Sequence, residues 1–210
     1  MHDTLDSVVI AEHEEAIAAG WADRSTELLG AVSRHIALLA AWIATCGSLF
    51  ISEVIGWQPC LLCWYQRIAM YPLALLLSIG ILRRDRGLHF YVLPLALLGA
   101  PISLYHYLLI KTNLFAAPPC TVGIPCTVDY IDWLGFINIP FLALTAFLII
   151  IVMMAASALI SAPAEPIAGA ATPEDVPAAT PTGLDWSGIA VFAIIATVLI
   201  GFIAASALVG

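Results

Sequence analysis

Charged residues are so sparse in this chain that the gaps between them delimit its structure. No Asp, Glu, Lys or Arg lies between Arg34 and Glu53, a stretch of 18 residues. Residues 61–82 form a second apolar stretch broken only by Arg67, and 87–110, 133–164 and 186–210 hold three more. A bilayer core of about 30 Å needs about 20 helical residues, and each stretch meets or nearly meets that length. Backbone groups in lipid must be satisfied internally, which favours helices, and the period-two alternation of a membrane barrel is missing. Apolar residues make up 62% of the chain and charged ones 10%, against about 45–50% and about 25% in soluble domains. A water-soluble globule and a disordered chain are both excluded on that ground. The expected fold is all-α and integral to the membrane: a four-transmembrane-helix bundle with an additional C-terminal transmembrane helix.

The net charge of −8 is concentrated at one end, since residues 1–30 carry seven acids and one Arg. With no basic patch, nucleic acid is not an expected partner. Residues 1–30 also lack the basic start and unbroken apolar core of a signal peptide and are expected to be an acidic cytoplasmic tail. Lys and Arg set orientation. Arg24 and Arg34 precede span one, and Arg83, Arg84 and Arg86 crowd the loop between spans two and three. The loop before span two has no Lys or Arg, and the loop from Lys111 to Asp132 has only Lys111. The N-terminus and the Arg loop are therefore predicted inside, and the other two loops outside. Residues 31–160 form the predicted four-helix membrane domain. Residues 161–186, with five prolines and four acids, read as an extended linker that leads to a fifth span over 187–210.

Of five cysteines, Cys60 and Cys63 lie in one predicted outer loop, Cys120 and Cys126 in the other, and Cys46 falls mid-span. Pro59 suits the first turn of a helix, so Cys60-Leu61-Leu62-Cys63 is predicted at the N-terminus of span two. The helix dipole there favours a thiolate, as thiol–disulfide exchange requires. Cys120 and Cys126, with Gly123 and Pro125 between them, can close a small ring. Structural staples and a four-cysteine zinc centre are the competing readings. The wide Cys120–Cys126 spacing argues against zinc, whose paired ligands sit two to four residues apart, and no metal is expected. Cys46 reads as an inert core thiol. Arg67 lies four residues after Cys63, on the same helical face. An arginine within a span costs about 2.5–3.5 kcal/mol on insertion scales. It either snorkels to the headgroups or stands beside a redox cysteine as a cation for an acceptor that becomes anionic. Gln66 adds a polar contact next to it.

The run WQPCLLCWYQR over 57–67 resembles the signature of the DsbB family of membrane disulfide-bond-forming proteins. The segments SLYHY over 103–107 and GFINIPF over 135–141, with the Cys120/Cys126 pair, resemble its BdbC-type branch. The resemblance covers about 33–160. It implies a membrane thiol:disulfide oxidoreductase that reoxidises an extracytoplasmic thioredoxin-like thiol oxidase of the DsbA/BdbD kind. The electrons pass to a membrane quinone, ubiquinone or menaquinone. Cys120–Cys126 would then be the disulfide facing the protein partner, and Cys60–Cys63 the one facing quinone, with Cys63 against the ring. Arg67, Gln66 and His106 would bind the cofactor, although His106 also reads as an interfacial histidine packed between Tyr105 and Tyr107. The bacterial cytoplasmic membrane is the implied location, with both pairs on its outer face. A partner near about −120 mV needs an acceptor of comparable or higher potential, which ordinary structural disulfides below about −300 mV are not. Two other functions share these features: a quinone reductase of the vitamin K epoxide reductase kind, and a disulfide-stapled scaffold without turnover. The early position of the C-x-x-C-x-x-Q-R element argues against the first. The short Cys120–Cys126 spacing departs from the enterobacterial form, and the tail, linker and fifth span lie outside the resemblance.

Overall fold

The protein is all-helical in a computed structural model that describes residues 2–112, 124–160 and 186–209. Five long helices follow one another: α1 (His2–Leu49), α2 (Leu61–Leu82), α3 (Leu88–Lys111), α4 (Ile139–Ile160) and α5 (Trp186–Val209). Each contains a stretch long and apolar enough to cross a membrane, that of α1 running over Arg24–Val54. Helix α1 is one continuous element, so the acidic segment 1–30 is helical from His2 and leads directly into the first span. The linker up to residue 185 lies outside the described residues.

Helices α1 to α4 form a ring. Helix α1 packs on α4 and α2, and α3 on both α2 and α4, while the α2–α4 diagonal barely touches. The core is Leu38 and Ala41 from α1, Leu73 and Leu77 from α2, Val92 and Ala96 from α3, and Phe147, Ile150 and Met154 from α4. Lipid tails are as apolar as these side chains, so close backbone approach matters more here than hydrophobic burial. At Gly99 of α3 an added Cβ would stand 2.3 Å from the Phe147 ring. The missing side chain is what lets that ring, with no exposed surface, reach the α3 backbone. Trp42 Nε1 donates to Ser78 Oγ at 3.0 Å and ties α1 to α2. Pro72, Pro94 and Pro101 sit inside α2 and α3, as spanning helices tolerate when neighbours satisfy the freed carbonyls.

Helix α5 lies outside the ring against α1 and α2. His35 is 3.3 Å from the Ser187 carbonyl at one end, and Phe50 meets Phe202 edge-on at the other. Thus α5 starts at the end of the bundle that carries the Arg83–Arg84–Arg86 turn and finishes at the cysteine end. In that turn the Asp85 carboxylate accepts from Gly87 N at 2.7 Å and Tyr91 OH at 2.6 Å, while Arg84 adopts a left-handed φ of 53°. These two bonds, the Tyr91 one foremost, hold the Asp85 carboxyl below its usual range.

The structure sets one boundary that the sequence left open and shifts another. The fourth apolar stretch begins at 133, but α4 begins at Ile139. Residues 133–137 turn back on themselves instead, with Trp133 N donating to Ile137 O at 2.9 Å and positive φ at Leu134 and Gly135. Asn138 then caps α4 through Oδ1, which accepts from Phe141 N at 3.1 Å. Pro59 also lies before α2 rather than in its first turn. Cys60 is the extended N-cap residue, with φ −74° and ψ 174°, and Leu61 is the first helical residue.

Candidate functional site

The N-terminus of α2 sets the positions of both proximal cysteines. A residue before proline is kept out of the helical region, so Gln58-Pro59 cannot extend α2 backwards. The Cys60 carbonyl closes the first turn by accepting from Trp64 N at 3.1 Å. Cys63, three residues on, is thereby brought back beside Cys60. The Cys60 thiol donates to Cys63 Sγ at 3.3 Å. That hydrogen bond, and burial after it, push the Cys60 thiol up to about 11. Cys60 therefore keeps its proton at neutral pH. Cys63 accepts the bond within the first turn, where the unpaired amides favour negative charge.

On one side of the pair stands His106, brought in by α3. Its Nε2 lies 3.7 Å from Cys60 Sγ and donates to the Cys126 carbonyl at 3.1 Å. Its Nδ1 is 3.2 Å from the Gln66 carboxamide. Cys60, Gln66, His106 and Cys126 are all buried. Cys126 belongs to the loop before α4, which folds over this end of the bundle. Lys111 holds the loop through Asp129 at 3.1 Å and Asp132 at 2.8 Å. Tyr130 stacks on Trp57 with ring centroids 5.0 Å apart and donates to Gln58 O at 3.3 Å. Cys60, Cys126 and Leu109 share one buried cluster, with Cys63 packed against it. A cavity of about 20 Å³ remains between Cys60, Cys63, His106 and Asp129.

On the other side lies a cavity of about 400 Å³ between α1, α2 and α4. Its walls are mostly apolar, with alanine and isoleucine the commonest residues and Cys63, Gln66, Arg67 and Tyr71 among its polar lining; Cys60 is not part of the wall. Arg67 does not reach away from the bundle. It donates to Ser48 twice at 2.9 Å, from Nε to Oγ and from its terminal NH₂ to the carbonyl, and lies 5.5 Å from the Trp64 ring. Just beyond Ser48, α1 widens into a π-helical turn over Phe50–Val54. Such a turn shifts the helix ladder by one residue and recurs at functional sites.

The structure thus brings Cys60, Cys63, Gln66, Arg67, His106 and Cys126 to one end of the bundle, opposite the arginine turn. Arg67 and Gln66 line the large cavity. His106 does not: it lies across the cysteine pair from it, with Gln66 bridging the two sides. Cys120 lies outside the described residues. Cys46 is buried in α1, away from this cluster. Sequence reasoning missed Ser48 and Tyr130. Ser48 had no signal beyond its small size, and Tyr130 none beyond lying in the second cysteine loop.

A dithiol at the mouth of a helical membrane bundle, with a third cysteine folded over it, defines a membrane thiol–disulfide protein. Residues 31–159 match the family described as "Disulfide bond formation protein DsbB". The chain belongs to this DsbB family and is a membrane disulfide-bond-forming protein, which makes it an oxidoreductase. It is 50% identical over 127 residues to the disulfide bond formation protein C of Bacillus subtilis, covering 58% of this chain and 92% of that protein. A probable disulfide formation protein C of Bacillus cereus is 51% identical over 124 residues, covering 57% and 89%. A probable disulfide formation protein of Oceanobacillus iheyensis is 44% identical over 115 residues, covering 54% and 79%. No solved structure matches the chain.

Proposed function

We propose that this chain reoxidises an extracytoplasmic thioredoxin-like thiol oxidase and delivers the electrons to a membrane quinone, in support of disulfide formation in exported proteins. The observation that carries this reading is the two-sidedness of the Cys60–Cys63 pair. Cys63 faces a large apolar cavity, and Cys60 faces the loop that bears Cys126. The residues fit a quinone: a cavity of about 400 Å³ falls in the usual range for ligand pockets of about 300–1,000 Å³. It is apolar along its walls and carries a cation and a carboxamide beside the sulfur. When bound, the quinone supplies a two-electron, two-proton acceptor. Cys63, Gln66 and Arg67 would hold its head group, and the alanine- and isoleucine-lined walls its apolar chain.

The protein steps follow from the sulfurs. The reduced partner's two thiols exchange with the Cys120–Cys126 disulfide, so one S–S bond forms on the partner as one breaks here. The Cys120 and Cys126 thiols then exchange with the Cys60–Cys63 disulfide, leaving Cys60 as a thiol and Cys63 as the sulfur next to the cavity. Two electrons and two protons leave the pair on that side as its S–S bond re-forms. His106 lies between Cys60 and the Cys126 backbone, where it aligns the two segments for exchange. Both pairs lie on the outer face of a bacterial cytoplasmic membrane in this reading, with the arginine turn inside.

The test is oxidation of a reduced thioredoxin-like oxidase by the purified protein with a short-chain ubiquinone or menaquinone analogue. Replacing Cys120 and Cys126 together should stop oxidation of the protein substrate. Oxidation of a small dithiol through Cys60–Cys63 should persist. Turnover of the protein substrate at the normal rate in the folded double variant would disprove the relay.

A further inference from the structure

We propose that Cys60, Cys63 and His106, with both thiols reduced, form a three-ligand site for a thiophilic divalent cation of the zinc type, so that metal binding and disulfide formation are mutually exclusive states of one pair. The three ligand atoms lie within 4.8 Å of one another. Tetrahedral zinc, with Zn–S near about 2.3 Å and Zn–N near about 2.0–2.1 Å, places two sulfurs about 3.8 Å apart and a sulfur and a nitrogen about 3.5 Å apart. Here Cys60 Sγ and Cys63 Sγ are 3.3 Å apart, and Cys60 Sγ and His106 Nε2 are 3.7 Å apart. Both separations need only a few tenths of an ångström of adjustment.

A second observation supports the geometry. Those same three residues border the cavity of about 20 Å³, which is the room that one water-sized occupant needs. Asp129 lines that cavity as well, with its carboxylate held by Lys111 at 3.1 Å, so a water completes four-coordination. A third concerns the imidazole. Metal-bound histidines have their other nitrogen fixed by a hydrogen-bonding partner, and Gln66 holds Nδ1 at 3.2 Å. A carboxamide offers a donor at one end and an acceptor at the other. Turned over, it takes the Nδ1–H of a metal-bound ring, while Nε2 gives up its bond to the Cys126 carbonyl and turns its lone pair to the ion. The wide Cys120–Cys126 spacing argued against a four-cysteine centre; the present site uses only the Cys60–Cys63 pair, with its third ligand 46 residues from Cys60.

Binding converts two S–H groups into thiolates, releases two protons and moves no electrons. Disulfide formation removes two electrons and ties up both ligand sulfurs, so the oxidised pair has no site.

The experiment is an anaerobic titration of the reduced full chain carrying Cys120→Ser and Cys126→Ser, with Co²⁺ as the spectroscopic probe. The expected result is one ion per chain, with thiolate-to-cobalt charge-transfer bands and the visible bands of a tetrahedral centre, all displaced by Zn²⁺. Cys60→Ser and Cys63→Ser should each abolish the tetrahedral spectrum. Gln66→Ala should weaken binding by about ten- to hundredfold, and His106→Ala by at least as much. The disulfide form of the same protein should not bind. An absent tetrahedral spectrum in the folded reduced protein, equal affinity in the disulfide form, or equal affinity in His106→Ala would each overturn the site. If His106→Ala does not fold, X-ray absorption of the zinc-loaded chain decides. Two sulfurs and a histidine nitrogen uphold the proposal, and a shell without histidine refutes it. These readouts do not depend on turnover, so they stand apart from the quinone reading.

Discussion

Arg67 shows how one residue divides what a sequence can and cannot say. Its charge within a span and its place four residues after Cys63 are legible from spacing alone. Its partner is not, because Ser48 sits on another helix and becomes a double acceptor only through the fold. His106 is similar: a lone histidine in SLYHY gives no sign that its ring spans from Cys60 to the Cys126 backbone. Two predictions belong to this scale. A charge-assisted hydrogen bond is worth about 1.5–3 kcal/mol, so Arg67→Met should weaken apparent quinone affinity about ten- to hundredfold. Arg67→Lys should recover only part of that, since it keeps the charge and loses the planar fork. Steady-state rates against quinone concentration, with folding checked by thermal melting, measure both. The second prediction follows from the Cys60 thiol, raised to about 11. Only its thiolate alkylates, so its rate with iodoacetamide in the reduced protein should climb about tenfold per pH unit from pH 7 to 10. Mass spectrometry reads the modified site, and a plateau below pH 9 would contradict the assignment. The same shift carries a stability consequence. Because the folded value lies above the ordinary thiol value, this contribution to the reduced protein is full below about pH 8.5 and is lost as pH rises toward 11.

At the scale of elements, charge gaps located the five helices well because a span tolerates so few ionised groups. They bounded α4 only within 133–164, since the 133–138 segment is apolar yet turns on Leu134 and Gly135 and ends at the Asn138 cap. Helix packing was not legible, because helices in lipid meet through shape rather than through a hydrophobic stripe. The Gly99–Phe147 contact is such a meeting. Gly99→Leu should destabilise the α3–α4 pair by about 1–3 kcal/mol, the usual cost of overpacking, and lower the melting temperature by several degrees. Gly99→Ala combined with Phe147→Leu should be more stable than Gly99→Ala alone. Equal melting of Gly99→Leu and the parent protein would show that the ring does not depend on that gap.

For the whole molecule, the arginine turn and the cysteines occupy opposite ends of the bundle, and the lysine and arginine bias predicts the arginines inside. Thr127 is exposed in the second cysteine loop, and Arg86 is exposed in the turn. In a chain without other cysteines, Thr127→Cys should react with a membrane-impermeant maleimide on intact cells. Arg86→Cys should react only after lysis, and the reverse pattern would invert the topology. The separation of the two ends was readable in outline because consecutive spans put alternate loops at opposite ends. The seat of α5 against α1 and α2 was not legible, since an almost uniformly apolar helix shows no preferred face.

The large cavity reaches only Cys63 of the pair, while Cys60 faces the Cys126 loop, and that division has a consequence for inhibition. An irreducible quinone analogue would fill the cavity while a protein substrate docks outside the loop, the two sites meeting through Tyr130, which walls the cavity. Such an analogue should lower the maximal rate without competing against the protein substrate, however much of that substrate is supplied. Two inhibitors, one greasy and one peptidic, should therefore act on the same molecule at the same time.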